Sequence, residues 1–268
     1  MDKKSLNNLM TMIALPNEII DDVNKKFDSI NINEYHSIID ELISKEASIE
    51  IYERLKDSFI DDSKNIGVLT IELLAMIKTY ERYKELNIDN SIFIDTMKCF
   101  KRFLLESKKK NNEYIFDRGW WVYRQLNMSL FRINDLEYEL IDNHTIDIHI
   151  PSDAKFRKEE VDKSLLEFKK FINKYFIEYK DARLYCDSWL LSPLLKEILN
   201  DKSNIISFQK RFDILNIDKE DKGYIIWVFN KNINTPIIEL DEFTSLQRKI
   251  KELMKQNIHI GSAKGILR

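Results

Sequence analysis

The stretch TIDIHIPSDAKF, residues 145–156, alternates apolar and polar side chains and then meets a proline. In an extended strand its isoleucines lie on one face, while Thr145, Asp147 and His149 lie on the other. Pro151 ends the alternation, because proline lacks the backbone N–H that a strand ladder uses. The stretch therefore predicts a half-buried strand whose polar face finishes in a histidine.

Strands and helices alternate around this strand. LEYELI (136–141) predicts a second strand, joined to the first as a hairpin through residues 142–144. Residues 158–179 have the three- and four-residue apolar spacing of an amphipathic helix, and ARLYCDSWLL (182–191) predicts a strand that runs into a loop. The remaining predictions are helices at 193–200 and 244–257 and strands at 203–215, 224–229 and 265–267.

The first part of the chain has a different pattern. Residues 17–110 show helical periodicity throughout, including a helix predicted over 91–107. The polar run KKKNNE (108–113) then precedes the β-containing half. We therefore predict an α+β fold with a helical N-terminal domain over residues 1–115 and a second domain over residues 116–268, in which helices flank a mixed β-sheet.

The composition is that of a globular protein, with 44% hydrophobic and 32% charged residues and a formal net charge of −3. This charge gives no electrostatic reason to expect nucleic acid or an anionic membrane as a partner, and no segment approaches a membrane span. The two cysteines form no CxxC pair, which favours a reducing cytoplasm over a disulfide framework or a zinc site.

Several common catalytic motifs cannot be written in this chain. Its five glycines form neither GxGxxG nor a phosphate loop, and its four histidines form no HExxH. No GxSxG elbow is present either. These observations disfavour nucleotide-binding Rossmann folds, nucleoside triphosphatases, zinc hydrolases and α/β-hydrolases, and we predict no metal.

The corner between the strand and the following helix is the candidate site for an anion. A helix N-terminus presents unpaired N–H groups and a partial positive charge, which suit a pyrophosphate. The candidate cofactor ligands at this corner are Ile150, Pro151, Ser152, Lys155, Arg157 and Lys158. The alternative is that the basic residues are ordinary solvated surface residues.

His149 is the candidate general base, because imidazole can take a proton from an amine or alcohol near neutral pH. Asp147 lies two residues earlier on the same strand face, roughly 6.5–7 Å away, and is near enough to act on the same ligand. The alternative for a single histidine at a strand end is a structural role.

A second group of candidates lies in CDSW, residues 186–189. Cys186 and Ser188 share a face if the strand continues this far, and a Cys186–His149 pair would make a nucleophile. Packing is the alternative for Cys186, since free cysteine is among the most buried residue types. Trp189 is typical of a core residue, and with Asp147 it is our candidate for binding substrate.

Seven segments, in chain order, carry a resemblance to a known family: FRINDLEYEL, IDIHIPSDAKF, SLLEFKKFINKYF, LYCDSWLLSPLLKEIL, SNIISFQKRFDI, YIIWVFN and TSLQRKIKELM. They resemble a bacterial family of predicted acyltransferases. In that family a helical N-acyltransferase N-terminal domain precedes a domain similar to the GNAT N-acetyltransferases. The resemblance covers most of residues 115–268 and, less distinctly, the helical part.

The resemblance implies a GNAT-like C-terminal domain that uses acetyl-CoA or another acyl-CoA as co-substrate. In GNAT enzymes the acyl-CoA lies where a central strand parts from its neighbour, with the pyrophosphate on backbone N–H groups before the next helix. The loop from Pro151 to Lys158 would hold it here, although this loop has no glycine of the usual Q/R-x-x-G-x-G/A signature.

The first hypothesis is an acyl-CoA-dependent N-acyltransferase in which a small-molecule or peptide amine attacks the thioester directly. His149 would be the base, Cys186 or Ser188 would lie near the reacting centre, and backbone N–H donors would polarise the carbonyl. The second hypothesis is a catalytically inactive GNAT-shaped module that binds a ligand or a protein, which the missing glycines favour. The third is a Cys–His route through an acyl-enzyme.

Overall fold

The computed structural model describes residues 1–268 and divides into two compact units, Met1–Ile133 and Asn134–Arg268. Both helices and a mixed sheet are present, and the predicted α+β class is confirmed.

The first unit consists of eight α-helices and one short strand: α1 (Lys3–Met12), α2 (Asn17–Ser29), α3 (His36–Leu42), α4 (Ile49–Asp57), α5 (Ile66–Glu85), α6 (Asn90–Met97), α7 (Cys99–Asn111), α8 (Gly119–Leu126) and β1 (Leu130–Ile133). Helix α5 is its centre, because α1, α2, α3 and α8 all pack on it. Residues 66–77 of α5 are buried on every side, as expected for a helix that is apolar around most of its circumference.

Helix α8 packs on both α4 and α5, so the compact first unit extends beyond residue 115, where we predict the domain boundary. The division into domains at that residue stays a prediction.

Two local predictions in this unit are wrong. The helix predicted over 91–107 is two helices that meet at Lys98, where ψ is −6° and the chain turns. Met97 and Phe100 are buried on either side, so the apolar spacing continues across the break and does not reveal it. The second concerns residues 117–133, for which the sequence predicts a helix followed by a turn. The end of this segment is strand β1, and four residues are too few to establish an alternation.

The second unit contains five strands and five α-helices: β2 (Leu136–Asp142), β3 (Thr145–His149), α9 (Lys158–Tyr175), β4 (Arg183–Ser188), α10 (Leu195–Ile198), α11 (Asn204–Gln209), β5 (Phe212–Asp218), α12 (Tyr224–Phe229), α13 (Ser245–Lys255) and β6 (Ser262–Leu267). The predicted β2–β3 hairpin, helix α9 and terminal strand are confirmed. Helix α13 begins with the predicted capping box, in which Thr244 and Gln247 each bond the other's backbone N–H.

The sheet of the second unit runs in the order β2-β3-β4-β6-β5. The β3–β4 pair is parallel and the other pairs are antiparallel. Helix α9 makes the crossover between β3 and β4 and packs on one face of the sheet. There the ring of Phe168 stacks on that of Tyr138 at 3.8 Å, and the Tyr138 hydroxyl shares a hydrogen bond of 2.9 Å with Ser164.

The predicted strand at 224–229 is wrong, because these residues form helix α12. Tyr224, Ile225 and Phe229 are buried and Trp227 is exposed, which is helical rather than strand spacing. The buried residues join a cluster with Leu195, Leu240, Ile250, Met254 and Ile260.

The strand predicted over 203–215 is partly wrong. Its first half is helix α11, which starts where the Ser203 hydroxyl accepts a hydrogen bond from the Ile205 N–H, and strand β5 begins only at Phe212. None of the helices combines the length and the apolar character needed to span a bilayer.

Candidate functional site

Strands β3 and β4 are parallel neighbours that separate toward their C-terminal ends. Their register pairs residues 145–147 with residues 183–185. Beyond these pairs, Ile148 and His149 pair with β2 only, and residues 186–188 pair with β6 only. The backbone groups of the two strand ends therefore border an opening in the sheet instead of bonding each other.

His149 ends β3 on the polar face of the sheet, as predicted. Its Nε2 lies 2.8 Å from Oε2 of Glu139, which stands on the neighbouring strand β2. The side chains of His149 and Glu139 are 28% and 15% exposed, so the pair is shielded but reachable from solvent. A carboxylate on one ring nitrogen fixes the tautomer of a neutral imidazole, and the lone pair is then on the other nitrogen, Nδ1.

Asp147 lies directly opposite Glu139 in the β2–β3 register. Its Oδ1 is shielded from solvent and accepts no hydrogen bond. Burial raises the pKa of the Asp147 carboxyl, while the charges of His149 and Lys264 lower it and those of Glu139 and Asp187 raise it further. The structure thus brings two predicted residues, His149 and Asp147, together with one that we do not predict, Glu139.

The chain turns sharply after Ile150. Pro151 is buried, and its carbonyl accepts a hydrogen bond of 3.0 Å from the Ala154 N–H. Phe156 then has a φ of +57°, a conformation that usually requires glycine. Two contacts hold it there: its N–H donates to Oδ2 of Asp135 at 3.1 Å, and its ring lies 4.7 Å from the ring of Phe208.

The basic residues of this corner surround the start of α9. Arg157 is the N-cap residue and makes no side-chain hydrogen bond to the helix end, and Lys158 is the first helical residue. Lys155 is exposed, as are Arg157 and Lys158, whereas Glu159 and Glu160 place negative charge in the same turn. The corner can present N–H groups and basic side chains to an anion, whereas the carboxylates of Glu159 and Glu160 would repel it.

The structure does not bring the CDSW candidates together with His149. Cys186 belongs to the opposite sheet face and is fully buried, and burial raises the pKa of its thiol. Ser188 accepts a hydrogen bond of 3.2 Å from the Leu190 N–H, which caps the short 3₁₀ helix that follows β4. Trp189 packs against the cluster formed by α12 and α13.

Sequence reasoning misses Glu139, although one signal was available. In a hairpin with the observed turn, Glu139 faces Asp147 and shares its sheet face, so the register alone places a carboxylate beside His149.

A cavity of about 740 Å³ lies in the first unit and contains none of the predicted site residues. Its lining includes Lys26, which pairs with Asp62 at 3.3 Å, and Asp62 also accepts a hydrogen bond of 2.8 Å from the Gly67 N–H. These polar groups already have partners within the unit. In addition, no group of three or more histidine, cysteine or carboxylate side chains is arranged to hold a metal ion.

Two family models match the chain. The model of the GNAT-like C-terminal domain matches residues 87–267, and the model of the N-acyltransferase N-terminal domain matches residues 4–128. The chain belongs to this family of GNAT-like proteins. The resemblance seen in the sequence is therefore confirmed.

Solved structures share the fold of this GNAT-like chain. A crystal structure of an acyltransferase in complex with decanoyl-CoA and teicoplanin superposes with a TM-score of 0.80 at 18% identity, covering 97% of this chain and 86% of that one. A variant acyltransferase in complex with octanoyl-CoA superposes with a TM-score of 0.79 at 15% identity, covering 99% of this chain and 88% of that one. Among curated proteins none matches this chain.

Proposed function

We propose that this protein is an acyl-CoA-dependent N-acyltransferase that moves an acyl group to an amine. The observation that carries the proposal is the β3–β4 opening with the His149–Glu139 pair on the sheet face beside it, in a chain of the GNAT-like family. The acyltransferases of similar fold were crystallised with decanoyl-CoA and octanoyl-CoA, which supports an acyl-CoA as co-substrate here.

The acyl-CoA would enter along the strand opening. Backbone N–H groups at the parted end of β3, around Ile150, would donate to the thioester oxygen as negative charge develops on it. The pyrophosphate would lie at the turn from Pro151 and Ser152 to the N-terminus of α9, beside Lys155, Arg157 and Lys158. The left-handed conformation of Phe156 supports this placement, because it supplies without glycine a turn that glycine commonly makes.

His149 would act as the general base. With Nε2 donating to Glu139, Nδ1 carries the lone pair that accepts a proton from the acceptor nitrogen. An acceptor that arrives as an ammonium gives one proton to His149 and, as the C–N bond forms and the C–S bond breaks, a second proton to the sulfur of CoA, which leaves as its thiol. The third hydrogen stays on the amide nitrogen. The acceptor would be an amine on a small molecule or a peptide, and two acyltransferases of similar fold were crystallised with teicoplanin or 10C-teicoplanin.

Direct transfer needs no enzyme nucleophile, and the placement of Cys186 favours it over an acyl-enzyme. The thiol lies on the sheet face opposite His149, and its raised pKa keeps it protonated. Ser188 and Trp189 would shape the floor of the opening where β4 ends. Cys99 and Cys186 are both free and buried, which supports a reducing cytoplasm as the working compartment.

A thermal-shift titration tests the co-substrate. The titrants are acetyl-, octanoyl- and decanoyl-CoA, each at concentrations well above micromolar. We expect at least one of them to raise the melting temperature, because a ligand that binds the native state stabilises that state. The double variant Arg157→Ala/Lys158→Ala should lose most of that shift, whereas the control Lys180→Ala, an exposed lysine on the same unit, should retain it. No shift with any of the three thioesters would remove the basis of the proposal.

A further inference from the structure

Two carboxylates stand side by side at the centre of the site. Glu139 and Asp147 are directly opposed across the β2–β3 pair, where like charges are unfavourable. The nearby cation, Lys264, stands on β6, two strands away from β3; it is exposed and lies over the ring of Tyr185 at 5.4 Å. The arrangement leaves negative charge concentrated next to His149.

One of these carboxylates has an acceptor position that the protein leaves open. Oδ1 of Asp147 is shielded from water and accepts no hydrogen bond, although Asp147 is flanked by polar side chains. A shielded carboxylate oxygen without a donor costs free energy in the isolated protein. That cost is removed when a ligand brings an N–H donor to the same position.

The position of Asp147 relative to the opening indicates that the ligand at Oδ1 is the nucleophile of the reaction. It is the last residue of β3 that still pairs with β4, so its side chain stands where the strands begin to part. The opposite face of β3, formed by Ile146 and Ile148, is buried beneath α9 and its partners. A nucleophile for a thioester in the opening must therefore approach on the face of Asp147 and His149.

We propose that Asp147 holds the acceptor as a primary ammonium, and that it is the residue that makes the site select an amine over a hydroxyl. This inference rests on the proposed function. The ammonium would donate one N–H to Oδ1 of Asp147 and lose another proton to His149, which leaves a neutral amine positioned for attack. A hydroxyl group brings a donor but no charge, so its hydrogen bond to Oδ1 of Asp147 lacks the charge assistance that an ammonium provides.

Binding of a simple ammonium tests this without requiring the natural acceptor. The probe is 1,6-diaminohexane, with 1,6-hexanediol as its uncharged counterpart, titrated into the full chain labelled with ¹³C-histidine. The four histidine ring signals are followed by NMR, and His149→Ala identifies the His149 signal. We expect the diamine to shift the His149 signal saturably and the diol to leave it in place.

The variants decide which residue is responsible. Asp147→Asn should weaken diamine binding roughly tenfold to hundredfold, the usual effect of losing a hydrogen bond to a charged group. Asp181→Asn is the matched control, because Asp181 is an exposed carboxylate just before the N-terminal end of β4, at the opposite end of that strand from the opening, and it should change the dissociation constant less than twofold. Thermal melting of each variant establishes that it is folded.

Three results would each overturn the inference: equal responses to diamine and diol, no response of His149 to the diamine, or unchanged affinity in Asp147→Asn. The acyl-CoA thermal shift is measured separately on the same samples. An acyl-CoA shift without ammonium binding would leave the transferase standing and remove the role of Asp147. Ammonium binding without any acyl-CoA shift would leave Asp147 as an ammonium-binding residue and remove the basis of the transferase.

Discussion

At the level of single residues, the His149–Glu139 pair makes the sharpest prediction. If His149 is the base, His149→Ala should lower kcat by roughly a hundredfold to ten-thousandfold, the usual contribution of general base catalysis. The measurement is release of CoA thiol at saturating acyl-CoA with an amine that the wild-type protein accepts. His144→Ala is the matched control, since His144 is exposed in the hairpin turn and should have no effect.

Glu139→Gln separates positioning from proton transfer. The amide keeps the size of the side chain but removes the negative charge that faces the imidazole, so we expect kcat to fall less than in His149→Ala. Full kcat in Glu139→Gln would exclude Glu139 from the mechanism.

Much of this site follows from residue-level sequence reasoning. The alternation of residues 145–150 places His149 and Asp147 on one face, and the structure has them there. Glu139 is missed because its role depends on the register between two strands, which no single strand pattern contains. Cys186 is adjacent to polar residues in sequence, but strand geometry sends alternate side chains to opposite faces.

At the level of elements, the loop between β3 and α9 is the unusual one. Phe156 has a left-handed backbone conformation, which costs a non-glycine residue about 1–2 kcal/mol, and its ring contact with Phe208 compensates. Phe156→Ala removes the ring and keeps the Cβ, so the backbone strain at residue 156 should remain while the stabilising contact with Phe208 is lost.

We therefore expect Phe156→Gly to be more stable than Phe156→Ala by about 0.5–1 kcal/mol, the reverse of the usual order, after allowance for the greater freedom of glycine in the unfolded chain. Urea denaturation of the full chain measures both free energies of unfolding. An alanine variant as stable as the glycine variant would show that Phe156 is not held in the left-handed region in solution.

Helix α12 and strand β5 mark the limit of sequence prediction for whole elements. YIIWVF (224–229) is apolar without alternation, and such a short run fits a buried strand or a buried helix equally well. The partners Leu195 and Ile250 decide in favour of a helix, and they are distant in sequence. By contrast, α9 and α13 are predicted well, because a long apolar stripe and a capping box are local signals.

At the level of the whole molecule, each unit has its own core, and the core of the first unit contains an ionisable group. Glu72 lies at the middle of α5 and is completely buried, and neither of its carboxyl oxygens has a hydrogen-bond partner. An alanine-type Cβ on Gly119 would lie 3.1 Å from Oε1 of Glu72, so the carboxyl is closely packed against the start of α8. Burial raises the pKa of Glu72 well above its usual value, and the nearby Tyr52 hydroxyl has its pKa raised to about 12 by burial and by Glu72.

This buried acid predicts how stability depends on pH. Because the folded-state pKa of Glu72 is raised, its contribution is fully present below the unfolded-state pKa of about 4.3 and is lost as the pH rises toward the folded-state pKa, with a slope of up to about 1.4 kcal/mol per pH unit. Glu72→Gln keeps the shape and cannot ionise, so the difference in free energy of unfolding between Glu72→Gln and the wild type should grow in favour of the variant from pH 5 to pH 8. Urea titrations at each pH measure that difference. Glu53→Gln, which removes an exposed carboxylate from the neighbouring helix α4, should give a difference that stays near zero over the same range. A constant difference for Glu72→Gln would mean that this carboxyl is ionised, or hydrated, in the folded protein.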